Sequence, residues 1–135
     1  MMTAQTITAK KEVKPQILSS VTPFQPLTIH ITWIIPPSHV SQFYDALYPL
    51  KEKLVLEDEC LYFNVFAIQG KPGFMRLVEM WDCDMEWMVE VQSQKEYYKG
   101  FFETVSRIAL EPQKVEVLCS VEGFQFVRRE RGRSF

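Results

Sequence analysis

Between Phe74 and Gln94 the chain reads FMRLVEMWDCDMEWMVEVQSQ, and this stretch leaves little choice of local structure. Its first eight residues alternate. Met75, Leu77, Glu79 and Trp81 fall on one face of an extended strand, and Phe74, Arg76, Val78 and Met80 on the other. A tight acidic turn through Asp82 and Asp84 follows. Met85, Met88 and Val89 then supply the apolar stripe of a helix over 83–92.

The flanking segments extend the pattern. Leu27 to Ile35, LTIHITWII, is rich in β-branched residues and alternates strictly. Leu27, Ile29, Ile31, Trp33 and Ile35 share one face of this strand; Thr28, His30, Thr32 and Ile34 share the other. Pro36 and Pro37 end the strand, because proline cannot donate to a ladder. Ser38 is placed to cap a helix over 39–56, whose stripe is Val40, Phe43, Leu47, Leu50 and Leu54, with Pro49 expected to kink it. A second strand, 60–68, precedes a turn rich in glycine and proline (69–73) that predicts a hairpin with strand 74–81. A further helical segment runs through Tyr97, Phe101, Val105 and Ile108, with Gly100 unsettling its middle. Alternation returns over 114–121, and 124–127 is expected to add a short last strand after a bulge or turn at Glu122 and Gly123.

The order strand, helix, strand, strand, helix, strand predicts an α+β fold, the ferredoxin-like split βαβ with an antiparallel four-stranded sheet. Residues 1–26 read as a flexible N-terminal arm, 27–127 as one domain and 128–135 as a basic tail. With helices on one face, the other face is expected to expose Ile34, Tyr62, Phe66, Leu77 and Trp81, too apolar to stay wet. A second copy covering it would make a homodimer, a dimeric α+β barrel.

Composition narrows the function classes. Fifteen basic and 17 acidic residues give a net charge of −2, so no global field favours nucleic acid or a membrane surface. No apolar run reaches the roughly 20 residues of a membrane helix. Three scattered cysteines and two histidines form no metal-ligand spacing, and five glycines form neither a phosphate loop nor a dinucleotide fingerprint. No metal or cofactor is expected. Without a secretory leader or a CxxC pair, reduced thiols in the cytoplasm are the expectation.

The segment from Leu27 to Val121 resembles the antibiotic-biosynthesis monooxygenase family of small dimeric α+β barrels. The resemblance rests on Glu57 to Phe63, EDECLYF, where the family commonly has an acidic residue, Pro-Gly, Cys, an apolar residue and an aromatic. It rests also on Glu79-Met80-Trp81-Asp82, which matches the Glu-x-Trp-acid end of a family strand and is followed by a helix and Ser93. Two positions depart: Glu59 replaces the usual glycine, and Glu90 stands where many members carry a histidine. The resemblance implies a cofactor-independent monooxygenase of an aromatic polyketide, phenol or anthrone. A polyketide cyclase or dehydratase and a non-catalytic dimeric protein on the same fold are the alternatives.

Candidate site residues follow if the Glu79 and Trp81 face is the barrel interior. His30 has a pKa in range for a base, and its alternative is a structural interface histidine. Trp81 and Asn64 are candidate donors to a developing oxyanion. Glu79 is a second base if burial raises its pKa, or one half of a salt bridge. Tyr62, Phe66, Leu77, Ile34 and Glu90 are the expected substrate contacts. Electrons for O2 would come from the deprotonated substrate itself.

Overall fold

A computed structural model describes residues 25–128. The elements are β1 (Leu27–Ile34), α1 (Val40–Leu54), β2 (Cys60–Ala67), β3 (Phe74–Trp81), α2 (Met85–Glu90), α3 (Lys99–Ile108) and β4 (Lys114–Leu118). Short 3-10 turns lie at Pro37–His39, Gln92–Gln94 and Glu96–Tyr98. The sheet is antiparallel with order β2-β3-β1-β4, the ferredoxin-like arrangement expected from the element order. Of the N-terminal arm only Gln25 and Pro26, and of the basic tail only its first residue, are among the described residues.

Pairing across the ladder decides which residues share a face. Leu27 faces Trp81, Ile29 faces Glu79, Ile31 faces Leu77 and Trp33 faces Met75. All eight therefore stand on one side. That side is covered by Phe43, Leu47, Leu50 and Leu54 of α1, Met88 of α2 and Phe101, Val105 and Ile108 of α3. Trp33, Phe43 and Phe101 form its aromatic centre, with ring centroids 5.3 to 5.9 Å apart at tilted or edge-on angles. Buried in this layer, the Trp33 indole still donates from Nε1 to Gln113 Oε1 at 2.9 Å.

The same register corrects the expected composition of the open face. Leu77 and Trp81 are not on it; they are 3% and 0% exposed beneath the helices. The open face carries instead Ile34, Tyr62, Asn64 and Phe66, with His30, Arg76, Val78 and Met80. A register shift between Cys60 and Tyr62 makes a bulge at Leu61, which leaves Leu61 45% exposed.

Two local expectations also fail. Ser38 does not cap α1. The proline pair launches a 3-10 turn first, the helix opens at Val40 without a side-chain cap, and the Ser38 hydroxyl meets His39 Nδ1 at 3.0 Å. The last strand over 124–127 does not form. β4 ends with Leu118 opposite Thr28, one residue from the start of β1, so no backbone remains to pair with. Asp84, by contrast, caps α2 as its chemistry requires: its carboxylate accepts from the Trp87 N–H at 2.8 Å. Among the described residues, no helix is long and apolar enough to cross a membrane.

The β2–β3 hairpin is pinned to the core by Gly73. Its φ is +88°, and a Cβ there would lie 1.9 Å from the Ile35 carbonyl oxygen, which is backbone and cannot yield. Its own carbonyl accepts from the Ile35 N–H at 2.7 Å. Gly70 also has positive φ but faces open space. Gly73→Ala is expected to cost more than about 2 kcal/mol and Gly70→Ala only about 1 kcal/mol, measured by urea unfolding.

Candidate active site

Glu79 sits two residues before the end of β3, among Ile29, Phe63 and the helix layer, 6% exposed. A carboxyl is placed there by simple alternation: it occupies the inward slot between Leu77 and Trp81. Its partner is local. Trp81 Nε1, two residues on and on the same face, donates to Glu79 Oε1 at 3.0 Å. Loss of hydration on burial pushes the Glu79 carboxyl up to about 7, and the Trp81 hydrogen bond offsets only part of that rise. A carboxyl that exchanges its proton near neutrality, held by a fixed donor in an apolar layer, has the properties of a general base.

A second polar cluster surrounds the same spot. Gln92 is fully buried, and its Nε2 donates to Tyr97 Oη at 2.8 Å and to Tyr98 Oη at 2.9 Å. Tyr97 donates in turn to Glu57, which also pairs with Lys95 Nζ at 2.9 Å. The Tyr97 hydrogen bond, reinforced by Lys95, holds the Glu57 carboxyl below its ordinary range. Burial first, and then the charge of Glu79, push Cys60 up to about 11. Tyr98 is raised in the same way, by burial and by Glu79. Glu79, Cys60, Tyr98 and Gln92 therefore share one neighbourhood beneath the helices. None but Glu79 was a candidate from the sequence. Tyr97 read there as part of an apolar stripe, and only the wedge of 3-10 turns between α2 and α3 turns Gln92 inward.

Two grooves flank this neighbourhood. One, of about 520 Å³, lies between α1 and the edge strand β2, with Tyr44, Tyr48 and Lys51 on one wall and Phe63 and Val65 on the other. Phe63 is the cross-strand partner of Glu79, so its ring stands beside the carboxyl on the groove side. The other groove, about 390 Å³, is lined by Ser93, Lys95, Tyr98, Lys99 and Phe102 among others.

The remaining sequence candidates lie elsewhere. His30 is on the open face, between Val78 and Glu116 in the ladders, with the sheet between it and Glu79. Tyr62 and Asn64 are on that open face too by register, Asn64 Nδ2 donating to Tyr62 Oη at 3.0 Å, and Asn64, on the edge strand, also reaches the rim of the 520 Å³ groove. Ile34 and Phe66 share it, Phe66 being 44% exposed. Glu90 is exposed at the end of α2. Leu77 is buried beside Glu79 on the helix side. The structure thus splits the expected constellation: Glu79, Trp81 and Leu77 below the helices; His30, Asn64, Tyr62, Phe66 and Ile34 on the opposite side. Among the described residues, no group of three or more His, Cys, Asp or Glu side chains is placed to hold a metal ion.

The fold that carries this site is that of structures named antibiotic biosynthesis monooxygenases. One such crystal structure superposes with a TM-score of 0.63 at 19% identity, covering 70% of this chain and 98% of its own. A protein of Caulobacter crescentus named "putative antibiotic biosynthesis monooxygenase" superposes with a TM-score of 0.65 at 19% identity, covering 73% of this chain and 93% of its own. In sequence, the chain is 27% identical over 106 residues to a Pestalotiopsis microspora protein named with the same qualifier as a monooxygenase, spanning 78% of this chain and 88% of that one. No family model matches the sequence.

The burial of Glu79 has a thermodynamic signature. Its ordinary value is 4.5 and its folded value about 7. Between those pH values the folded chain keeps a proton that the unfolded chain has released, so stability falls as pH rises through that window. The full loss is on the order of 3 kcal/mol. Urea unfolding from pH 4 to 8 is expected to show this decline in the wild type and to lose most of it in Glu79→Gln.

Proposed function

We propose that this protein is a cofactor-independent monooxygenase of an aromatic polyketide, of phenol or anthrone type, in secondary metabolism, and that it works as a homodimer. The observation that carries the reading is the buried Glu79–Trp81 pair, a carboxyl moved to about 7 with a single indole donor. The likeness to proteins named as monooxygenases supports it.

The chemistry follows from that pair. Glu79 takes the acidic C–H or O–H proton of the substrate, and the resulting anion is electron-rich enough to give one electron to O2 directly. Radical coupling forms the C–O bond of a hydroperoxide. For an anthrone methylene, loss of water then leaves a ketone: CH2 and O2 become C=O and H2O. Protonated Glu79 gives its proton to the peroxide anion formed by that coupling; it then takes the remaining C–H proton as the O–O bond breaks and passes it to the departing hydroxide, which leaves as water. The apolar helix layer limits hydration of the anion, and the Trp81 N–H is a donor for negative charge on the bound oxygen.

Glu79 takes the role of base in preference to His30 because of its placement. The two lie on opposite sides of the sheet and cannot serve one substrate in one subunit. His30 belongs, in this proposal, to the interface between two copies. The open face offers that interface a set of apolar side chains, Ile34, Phe66, Val78 and Met80 among them. Val121, Phe124 and Phe126, 65% to 84% exposed after β4, add a further surface for a second copy.

With 1,8-dihydroxyanthrone as substrate, an oxygen electrode is expected to register uptake that rises with pH through about 7, as Glu79 ionises. Glu79→Gln is expected to lower that uptake by about 100-fold or more, the scale of a lost general base, and His30→Ala to leave it in place. Product formation without oxygen uptake would transfer the reading to a cyclase using the same base. Sedimentation at micromolar concentration is expected to give a dimer; a stable folded monomer would remove that part of the proposal.

A further inference from the structure

The Gln92 amide is incompletely satisfied, and its orientation is not arbitrary. Tyr97 donates its proton to Glu57, so the Tyr97 oxygen can only accept from Gln92. That places the amide NH2 toward the two tyrosines, where both of its hydrogens are engaged. Its carbonyl Oε1 is then left buried with no hydrogen-bond partner. An orphaned acceptor of this kind is destabilising, and buried polar atoms are rarely left so. Tyr98 is in a complementary state. Its oxygen accepts from Gln92, while its own proton has no acceptor among the described residues. One buried acceptor and one adjacent donor are thus both unused; Tyr98, though not the fully buried Gln92, lines a groove of about 390 Å³ together with Phe102. The charge of Glu79 reaches Tyr98 as well, after burial and the Gln92 hydrogen bond.

We infer that Gln92 Oε1 and the Tyr98 hydroxyl form a binding subsite for one hydroxyl group of an aromatic substrate. The substrate O–H donates to Gln92, and its oxygen accepts from Tyr98. The groove beside Tyr98 and Phe102 takes part of the aromatic body, and the reacting position is carried toward Glu79. This rests on the reading above that the substrate is a hydroxylated aromatic. It adds a specificity: a site built to hydrogen-bond a hydroxyl discriminates strongly against the analogue that lacks it. A methyl ether cannot donate, so it leaves the Gln92 carbonyl orphaned.

The test uses non-reacting probes, so that binding is read apart from turnover. The affinities of 2,6-dihydroxyanthraquinone and 2,6-dimethoxyanthraquinone, whose substituents stand clear of the ring carbonyls, are measured by tryptophan fluorescence quenching for the wild type, Gln92→Met and Tyr98→Phe. The wild type is expected to prefer the hydroxyl probe by about tenfold or more. Gln92→Met is expected to bring that preference near one while leaving the dimethoxy affinity unchanged, and Tyr98→Phe to reduce it. If Gln92→Met loses its cooperative urea transition, Tyr98→Phe decides by the same ratio. A wild-type ratio near one, as a buried water at Gln92 would give, overturns the inference. So does an unchanged ratio in the deciding variant, or no binding of either probe. Oxygen uptake with 1,8-dihydroxyanthrone is recorded separately. Absent uptake with the preference intact removes the oxygenase reading and leaves the subsite standing.

Discussion

The pairing of β1 with β3 sets on which side of the sheet every polar side chain of interest falls. Ile29 opposite Glu79 and His30 opposite Val78 are neighbouring rungs of one ladder, yet they deliver a carboxyl and an imidazole to opposite environments. A slip of either strand by a single residue would turn that strand over and bring both groups to the same side of the sheet. The slip is prevented by the apolar residues on the same strands. Ile29, Ile31, Trp33, Met75, Leu77 and Trp81 are all nearly fully buried under the helices, and none could be moved to the open side without exposing the others. Glu79 is held in an apolar layer because its neighbours must be there.

That confinement gives the carboxyl its character. Desolvation raises its proton affinity, and the Trp81 N–H limits the rise without abolishing it. The tryptophan serves twice. Its ring is a core residue at the end of β3, 0% exposed, and its nitrogen is the only side-chain hydrogen-bond donor to Glu79 among the described residues. Packing and chemistry are therefore difficult to separate here. Replacing the indole would open a cavity and change the base together, so the carboxyl is the cleaner position at which to probe function.

The polar cluster around Gln92 depends on a different device. α2 ends at Glu90, and two 3-10 turns intervene before α3 begins at Lys99. This interruption brings Tyr97 and Tyr98 onto the Gln92 amide and links them through Glu57 and Lys95 to the turn before β2. A continuous helix through 85–108 would rotate these residues by helical period instead and scatter them around the axis. The break joins the second helical segment to the strand hairpin by side-chain hydrogen bonds rather than by apolar contact alone.

Much of this protein was legible as sequence. Alternation in LTIHITWI and FMRLVEMW placed Ile29 and Trp33 on one side of β1, and Glu79 and Trp81 together on one side of β3, because a strand's period is locally dictated. The acidic turn through Asp82 and Asp84 marked a helix start, but at Cys83; the helix opens at Met85, because Asp84 takes the cap. Alternation within a strand does not say which face meets the helices, however, and it does not relate the faces of two strands. That is why Trp81 and Leu77 were expected beside His30 on the open face. Only the tertiary ladder, in which Ile29 pairs with Glu79, assigned Glu79 and Trp81 to the helix side. The Gln92 cluster was beyond sequence reasoning altogether. It joins residues 57 and 97 through hydrogen bonds that exist only once the helices have packed against the sheet. The short strand expected at 124–127 failed for the same kind of reason: a strand needs a partner, and β1 had already ended.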